Sequence, residues 1–201
     1  MSTIATNLYT FKNFTHLTES ESDEVLQGRN DAQVRRWMTS DRKINAQEHR
    51  NFLASLKTCC SQFYFRVERR GHFVGVYSLT DIRDQSAVGG FWIAAEARKK
   101  LLGLSIVYNS INYVFNNCLI GKIRGYQLTD NRPVVKLNTM LGFVQIAPSL
   151  HIDPRMSYLE LTRADWENHV LNSRKIIKMI EITDSNRVCD PPNTAASKCN
   201  G

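Results

Sequence analysis

With 201 residues, 42% of them hydrophobic, the chain has the length and apolar content for one domain with a sizeable core. Its formal charge is +7. The positive residues are spread along the chain, with no long basic run and no aromatic RNA-binding signature, which argues against nucleic acid and for a phosphorylated small molecule.

In chain order, Tyr9 to His16 reads as a first strand. Thr18 to Asp23 is rich in cap-forming and acidic residues that suit a helix N-terminus, and a helix follows to about Gly28. Arg29, Asn30 and Asp31 break it, and Val34, Trp37 and Met38 form a short second apolar stripe. Asn45 caps a further helix with Phe52, Leu53 and Leu56 on its apolar face. Phe63, Phe65 and Val67 alternate with Tyr64 and Arg66 as in a half-buried strand. Arg70-Gly71-His72 turns the chain, and Val74 to Leu79 returns.

Ile82 to Ala87 reads as a polar connection and Val88 to Ala94 as a more apolar strand, where Gly89-Gly90 invites a bulge or a close backbone approach. Leu104, Val107, Ile111, Val114 and Phe115 mark one face of a helix. Lys122 to Leu128 is a strand. Val134, Leu137 and Leu141 mark a helix ended by Gly142. Phe143–Ile146 and Met156–Leu161 make a last strand pair, and Thr162 caps a helix from Arg163. Beyond Asp184 the chain is polar, with Pro191-Pro192, and reads as a disordered tail over 185–201 after a domain at 1–184. The order implies an α/β fold with a mixed sheet and helices on its faces.

Cys59, Cys60, Cys118, Cys189 and Cys199 form no CxxC pair, and the histidines are not spaced to complete a zinc site, so reduced thiols and no metal are expected. There is no signal-peptide-like apolar core and no apolar run of membrane-spanning length. The expectation is a soluble cytoplasmic protein with no membrane partner; a homodimer is compatible with the sequence.

The segment from Ala95 to Leu104 follows a strand and opens a helix. Free N–H groups at a helix start attract phosphate, Arg98, Lys99 and Lys100 add full charges there, and Gly103 permits close backbone approach. A solvated strand–helix junction accounts for the segment equally well when it is taken alone. Arg98 to Gly103 resembles the acyl-CoA loop (Gln/Arg)-x-x-Gly-x-(Gly/Ala) of the GNAT acetyltransferases. Asp130 to Phe143 resembles that family's Asn-x-x-Ala-x-x-x-Tyr-x-x-x-Gly-Phe segment, in the right order and spacing. The resemblance covers about residues 9 to 162. Gly28-Arg29-Asn30-Asp31, Val34 to Met38, Glu48-His49-x-x-Phe52, Leu56-Lys57 and Val74 to Ile82 resemble one branch of the family. That branch acetylates the 4-amino group of a UDP-linked 4-amino-4,6-dideoxy sugar in pseudaminic acid synthesis.

The resemblance implies a GNAT fold, with the sheet splayed between the fourth and fifth strands and the pantetheine arm of acetyl-CoA lying in the gap. It implies that backbone N–H groups near Trp92 and Ile93 orient the thioester. The loop amides of Lys99, Lys100, Leu101, Leu102, Gly103 and Leu104, with Arg98, would hold the pyrophosphate, and Asn131 would contact the arm or cap its helix. Arg29 would meet a nucleotide phosphate, and Trp37, Met38, Phe52 and Tyr77 would line a pocket for uracil and sugar, although these spacings also suit plain core. His49 suits helix packing and Trp166 a packing anchor.

Three positions depart from the family. Leu101 stands at the first loop glycine. Asn138 stands at the tyrosine that protonates the leaving thiolate, and an amide cannot supply that proton. Tyr126 stands where relatives of the sugar branch carry Glu. The sequence leaves three accounts open: catalysis by orientation alone, Tyr126 as the acid, or a CoA-binding module with a decayed site. Protein N-terminal acetylation is the rival enzymatic reading.

Overall fold

In the computed structural model, which describes residues 8–147 and 153–185, local sequence signals account for most element boundaries. His151, Cys189, Cys199 and the expected tail from residue 186 onward lie outside those residues. Strand β1 is Tyr9–Asn13, shorter than expected. The Asn13 side chain accepts from the Thr15 amide and turns Phe14–His16 into one 3-10 turn. Helix α1 (Glu19–Asn30) starts at a capping box in which Thr18 and Glu21 satisfy each other's backbone amides. Asp31 then caps the short α2 (Ala32–Arg35). Asn45 and Glu48 repeat the capping box at α3 (Ala46–Leu56).

Strands β2 (Phe63–Arg69) and β3 (His72–Arg83) form the expected hairpin. The stretch from Ile82 to Ala87 is a correction. β3 runs to Arg83, Asp84 and Gln85 make a tight turn with positive φ at both, and β4 (Ser86–Ile93) begins at once. The irregularity in this hairpin lies between Thr80 and Arg83, and Gly89-Gly90 pair without a bulge. Helices α4 (Ala95–Lys99) and α5 (Gly103–Asn117) follow, then β5 (Lys122–Leu128) and α6 (Arg132–Met140). Gly142, at φ +80, lies just past the end of α6. The chain closes with β6 (Val144–Ile146), β7 (Met156–Thr162), and α7 (Arg163–Asp165), which Thr162 caps and a π turn over Trp166–Val170 extends. Helix α8 is Arg174–Ser185.

The seven strands form one sheet in the order β1-β2-β3-β4-β5-β7-β6. Only β4 and β5 run parallel, and they pair over just Ser86–Val88 with Lys122–Arg124. Beyond that point β4 stays on β3 as far as Ile93, and β5 stays on β7 as far as Leu128. The expected splay between the fourth and fifth strands is therefore present, with its root at Val88 and Arg124.

Alternation divides the sheet into two faces. Phe65, Val67, Tyr77, Leu79, Ala87, Ile123 and Leu161 join the main core with α5, α8 and Trp166. Tyr64, Val76 and Trp92 face the other way, into a smaller core with Phe14, Val25, Phe52 and Leu56 beneath α1 and α3. Helix α5 is the central packing element, with Ile111 and Val114 fully buried.

A buried polar cluster fastens the ends of the described chain to the first turn of α5. The Tyr9 hydroxyl donates to Ser105 Oγ at 2.7 Å, and Ser105 Oγ donates to the Asp184 carboxylate at 2.9 Å. Arg69 donates to the same carboxylate and to the Asp184 carbonyl. Burial pushes the Tyr9 phenol well above its ordinary value, so it stays a donor.

Candidate functional site

The site is a slot bounded by two unpaired strand edges. The Ala94 amide donates to the Val74 carbonyl at 2.9 Å, which sets the phase of the β3–β4 ladder. In an antiparallel ladder both polar groups of alternate residues face the same side. Trp92 and Gly90 therefore turn theirs to β3, while Ile93, Phe91 and Gly89 turn theirs into the slot. The expectation held both Trp92 and Ile93 to be amide donors there. The register assigns that part to Ile93 and commits the Trp92 amide to the sheet. The Trp92 ring packs instead at α1. A Cβ on Gly28 would come within 2.7 Å of it, and Phe73 meets it edge-on at 5.6 Å.

At its open end the slot meets the loop between α4 and α5. The Leu102 amide donates to the Ala97 carbonyl and the Leu101 amide to the Arg98 carbonyl, while Leu101 has φ +57. These paired bonds are a Schellman motif, with Leu101 at the left-handed position that glycine favours. The Lys100 amide is also spent, on Glu96. The expectation that every amide from Lys99 to Leu104 is available is thus corrected. Those of Gly103, Leu104 and Ser105, at the start of α5, have no backbone acceptor, as the first turn of a helix dictates. Leu102 is buried in the core and Leu101 is 81% exposed.

Arg98 lies beside this loop but is engaged: it donates to the Ile93 carbonyl and forms an ion pair with Asp31. The guanidinium holds the Asp31 carboxyl below its usual range, with help from the Gln33 amide. Lys99 pairs with Glu96 at 2.7 Å on the exposed surface. Across the mouth, Asn131 occupies the N-cap position of α6 without a side-chain capping bond, so the cap reading is not realised.

On the α1–α3 face, Tyr126 is 53% exposed and shares the strand face of Arg124. Burial pushes the Tyr64 phenol above its ordinary value, and charge on the nearby Tyr126 and Cys59 adds to the rise. Tyr64 is held edge-on by Phe52 at 5.0 Å. Arg29 buries Nη1 without a hydrogen-bond partner. Burial, then the like charge of Arg35, lowers its pKa. Trp37 carries the Arg36 guanidinium 5.0 Å above its ring, and Met38 follows at partial exposure. His49 is 6% exposed, and burial lowers its pKa against the opposing pull of the Ser22 carbonyl and Asp23.

Two expected site residues lie off the α1–α3 face. Tyr77 is 3% exposed in the main core on the opposite face, because it alternates with Val76 and Ser78, so it cannot line a pocket with Phe52. Asn138 sits in the last turns of α6 and donates to Gln127 Oε1 at 2.7 Å. Both of those amides are buried. Sequence reasoning missed Asp31 as the partner of Arg98, and missed Gln127, whose parity with Ile123 placed it on the α6 side.

Among the described residues, no group of three or more His, Cys, Asp or Glu could hold a metal ion, and no helix is long and apolar enough to cross a membrane.

The family profile described as "Acetyltransferase (GNAT) domain" matches residues 13–144. Acetyltransferase PseH of Campylobacter jejuni subsp. jejuni serotype O:23/36 (strain 81-176) is 29% identical over 126 residues, 63% of this chain and 78% of that protein. The crystal structure of Campylobacter jejuni N-acetyltransferase PseH in complex with acetyl coenzyme A aligns with a TM-score of 0.64 at 22% identity, over 78% of this chain and 99% of that one. Spermidine N-acetyltransferase from Vibrio cholerae, in complex with CoA and spermine, aligns with a TM-score of 0.69 at 17% identity, over 81% and 99%. At these identities the structural likeness establishes the fold.

Proposed function

The chain belongs to the acetyltransferase (GNAT) family, and from that premise we propose that it moves an acetyl group from acetyl-CoA to the 4-amino group of a UDP-linked 4-amino-4,6-dideoxy sugar. The observation that carries the donor half is the slot, because its free strand edge leads to the free amides of Gly103, Leu104 and Ser105. The resemblance to PseH and to its branch of the family carries the acceptor half. The proposal includes a cytoplasmic location.

In this reading the pyrophosphate rests on the three amides at the start of α5, and Lys99 and Lys100 add charge. Arg98 acts one step back, holding the loop to Asp31 and to the Ile93 carbonyl. The pantetheine arm lies along β4, bonds the Ile93 amide, and meets the Asn131 side chain across the mouth. The amides of Phe91 and Gly89 are the donors nearest the thioester carbonyl, where negative charge develops. On the α1–α3 face, Arg29 Nη1 takes a nucleotide phosphate oxygen, and Trp37, Met38 and Phe52 line the base and sugar.

The neutral amine attacks the thioester carbon. A C–N bond forms, the C–S bond breaks, the amine proton passes to water, the thiolate takes a proton from the Tyr126 hydroxyl, and the phenolate recovers a proton from water. Asn138, tied to Gln127, orients groups beside the sulfur and supplies no proton. Holding amine and thioester together removes much of the remaining barrier.

Acetyl-CoA should raise the thermal midpoint, by about 2.7 kcal/mol of stability at a hundredfold excess over Kd. UDP should compete with the acceptor, and peptides should be poor acceptors. No midpoint shift at saturating acetyl-CoA overturns the donor assignment. Acetylation of a peptide N-terminus that UDP does not inhibit overturns the acceptor assignment.

A further inference from the structure

We infer that the slot accepts acyl groups longer than acetyl, and that a hydroxyl on the third carbon of the acyl chain is recognised at its root; this rests on the acyl-CoA reading above. With the pyrophosphate at the start of α5, an extended arm along β4 points its acyl end toward Val88. From Ile93 to Gly89 is about 13 Å of strand. The acyl group therefore meets the root of the split, where β4 and β5 rejoin.

Three features make room and polarity there. Gly125 is the first β5 residue past the last β4 pair, and a Cβ built on it meets no atom within 4 Å. It shares the strand face of Ile123 and Gln127, so this open space lies on the α6 side. Asn138, small where the family pattern has a tyrosine, is drawn back onto Gln127 Oε1 at 2.7 Å. That one bond leaves both Gln127 N–H donors and the Asn138 carbonyl for a guest.

The third feature is Tyr77. Its hydroxyl lies 2.9 Å from where a Cβ on Gly89 would stand, level with Gly125 across the split. It is 3% exposed and makes no hydrogen bond to another described residue. Burial holds its pKa far above the usual value, so it remains protonated and can both donate and accept. A hydroxyl brought in by the acyl chain would hydrogen-bond to it there.

The transfer is chemically unchanged: the thioester C–S bond breaks, the amide C–N bond forms, and CoA leaves as the thiol.

Calorimetric dissociation constants for acetyl-CoA, butyryl-CoA and 3-hydroxybutyryl-CoA test this without an acceptor. In the parent protein 3-hydroxybutyryl-CoA should bind at least as tightly as acetyl-CoA, and about tenfold more tightly than butyryl-CoA. Tyr77→Phe should erase the difference between the two four-carbon donors. Gly125→Val should weaken both relative to acetyl-CoA by about tenfold or more, and Tyr77→Phe keeps the test decisive if that variant does not fold. Acetyl-CoA binding with both four-carbon donors excluded would overturn this inference alone. So would equal binding of the two four-carbon donors, unaltered by Tyr77→Phe. Failure of all three donors to bind would overturn the acyl-CoA reading beneath it.

Discussion

Replacing Leu101 with glycine should stabilise the protein. Leu101 holds φ +57 at the left-handed position of the Schellman motif that ends α4. A left-handed backbone costs an L-residue about 1–2 kcal/mol, which glycine escapes. The side chain is 81% exposed, so its removal sacrifices little packing. Glycine returns about 0.5–1 kcal/mol as extra freedom of the unfolded chain. The net gain is about 0.5–1 kcal/mol, or about 1–4 °C in thermal midpoint for a domain of this size. Leu101→Ala is the control: it shortens the side chain but keeps the Cβ, so it should gain nothing. Differential scanning calorimetry of the three proteins decides the matter. An unchanged or lower midpoint for Leu101→Gly, or an equal rise for Leu101→Ala, would refute the strain argument. With acetyl-CoA titrated in, Leu101→Gly should also bind at least as tightly as the parent, because the same loop presents the amides of Gly103 and Leu104.

Other perturbations separate roles that lie close together. Arg98→Glu puts a carboxylate against Asp31, so it should lower the midpoint of the free protein and abolish most of the acetyl-CoA shift; a lowered midpoint with the full shift retained would reduce Arg98 to a structural tie. Tyr126→Phe should slow single-turnover acetyl transfer by about a hundredfold and Asn138→Ala by less, since only the phenol can give up a proton; equal rates for Tyr126→Phe and the parent would leave orientation or water as the mechanism. His49 has a folded pKa below its unfolded value of about 6.5, so the unfolded chain binds the proton more readily. Its contribution to stability is complete above that value and is lost as pH falls through it, and His49→Leu should flatten the loss of midpoint below pH 6.5. An identical pH profile in the variant would show that other groups carry the dependence.

Much of the fold was legible because its signals are local. Thr18 with Glu21 and Asn45 with Glu48 write two helix starts into four residues each, and alternation along Phe63 to Val67 writes a strand. The splay followed from a family resemblance, since nothing in Val88 or Arg124 announces where two parallel strands part. What escaped was side-chain traffic between distant segments. Arg98 reads as a phosphate ligand by position, yet Asp31, sixty-seven residues earlier, reaches it first. Tyr77 joins an aromatic group with Trp37 and Phe52 by composition, and strand parity sends it to the other face. Asn138 reads as a vacant catalytic position, whereas its bond to Gln127 makes it one half of a buried amide pair. The left-handed Leu101 was visible only as a missing glycine, because φ is not written in the sequence.

The cluster at the start of α5 bears on how the protein is made. Ser105 lies in the turn that presents the amides assigned to the pyrophosphate, and its carboxylate partner arrives 79 residues later, on Asp184. A ribosome still short of that codon carries a chain whose strands and central helix are already synthesised but whose amide-bearing turn lacks its anchor. Readiness for the donor is then a late event in biosynthesis, coupled to docking of the last described helix rather than to formation of the sheet. A nascent chain stalled before residue 184 would be expected to resist protease over its strands yet gain no further protection from acetyl-CoA.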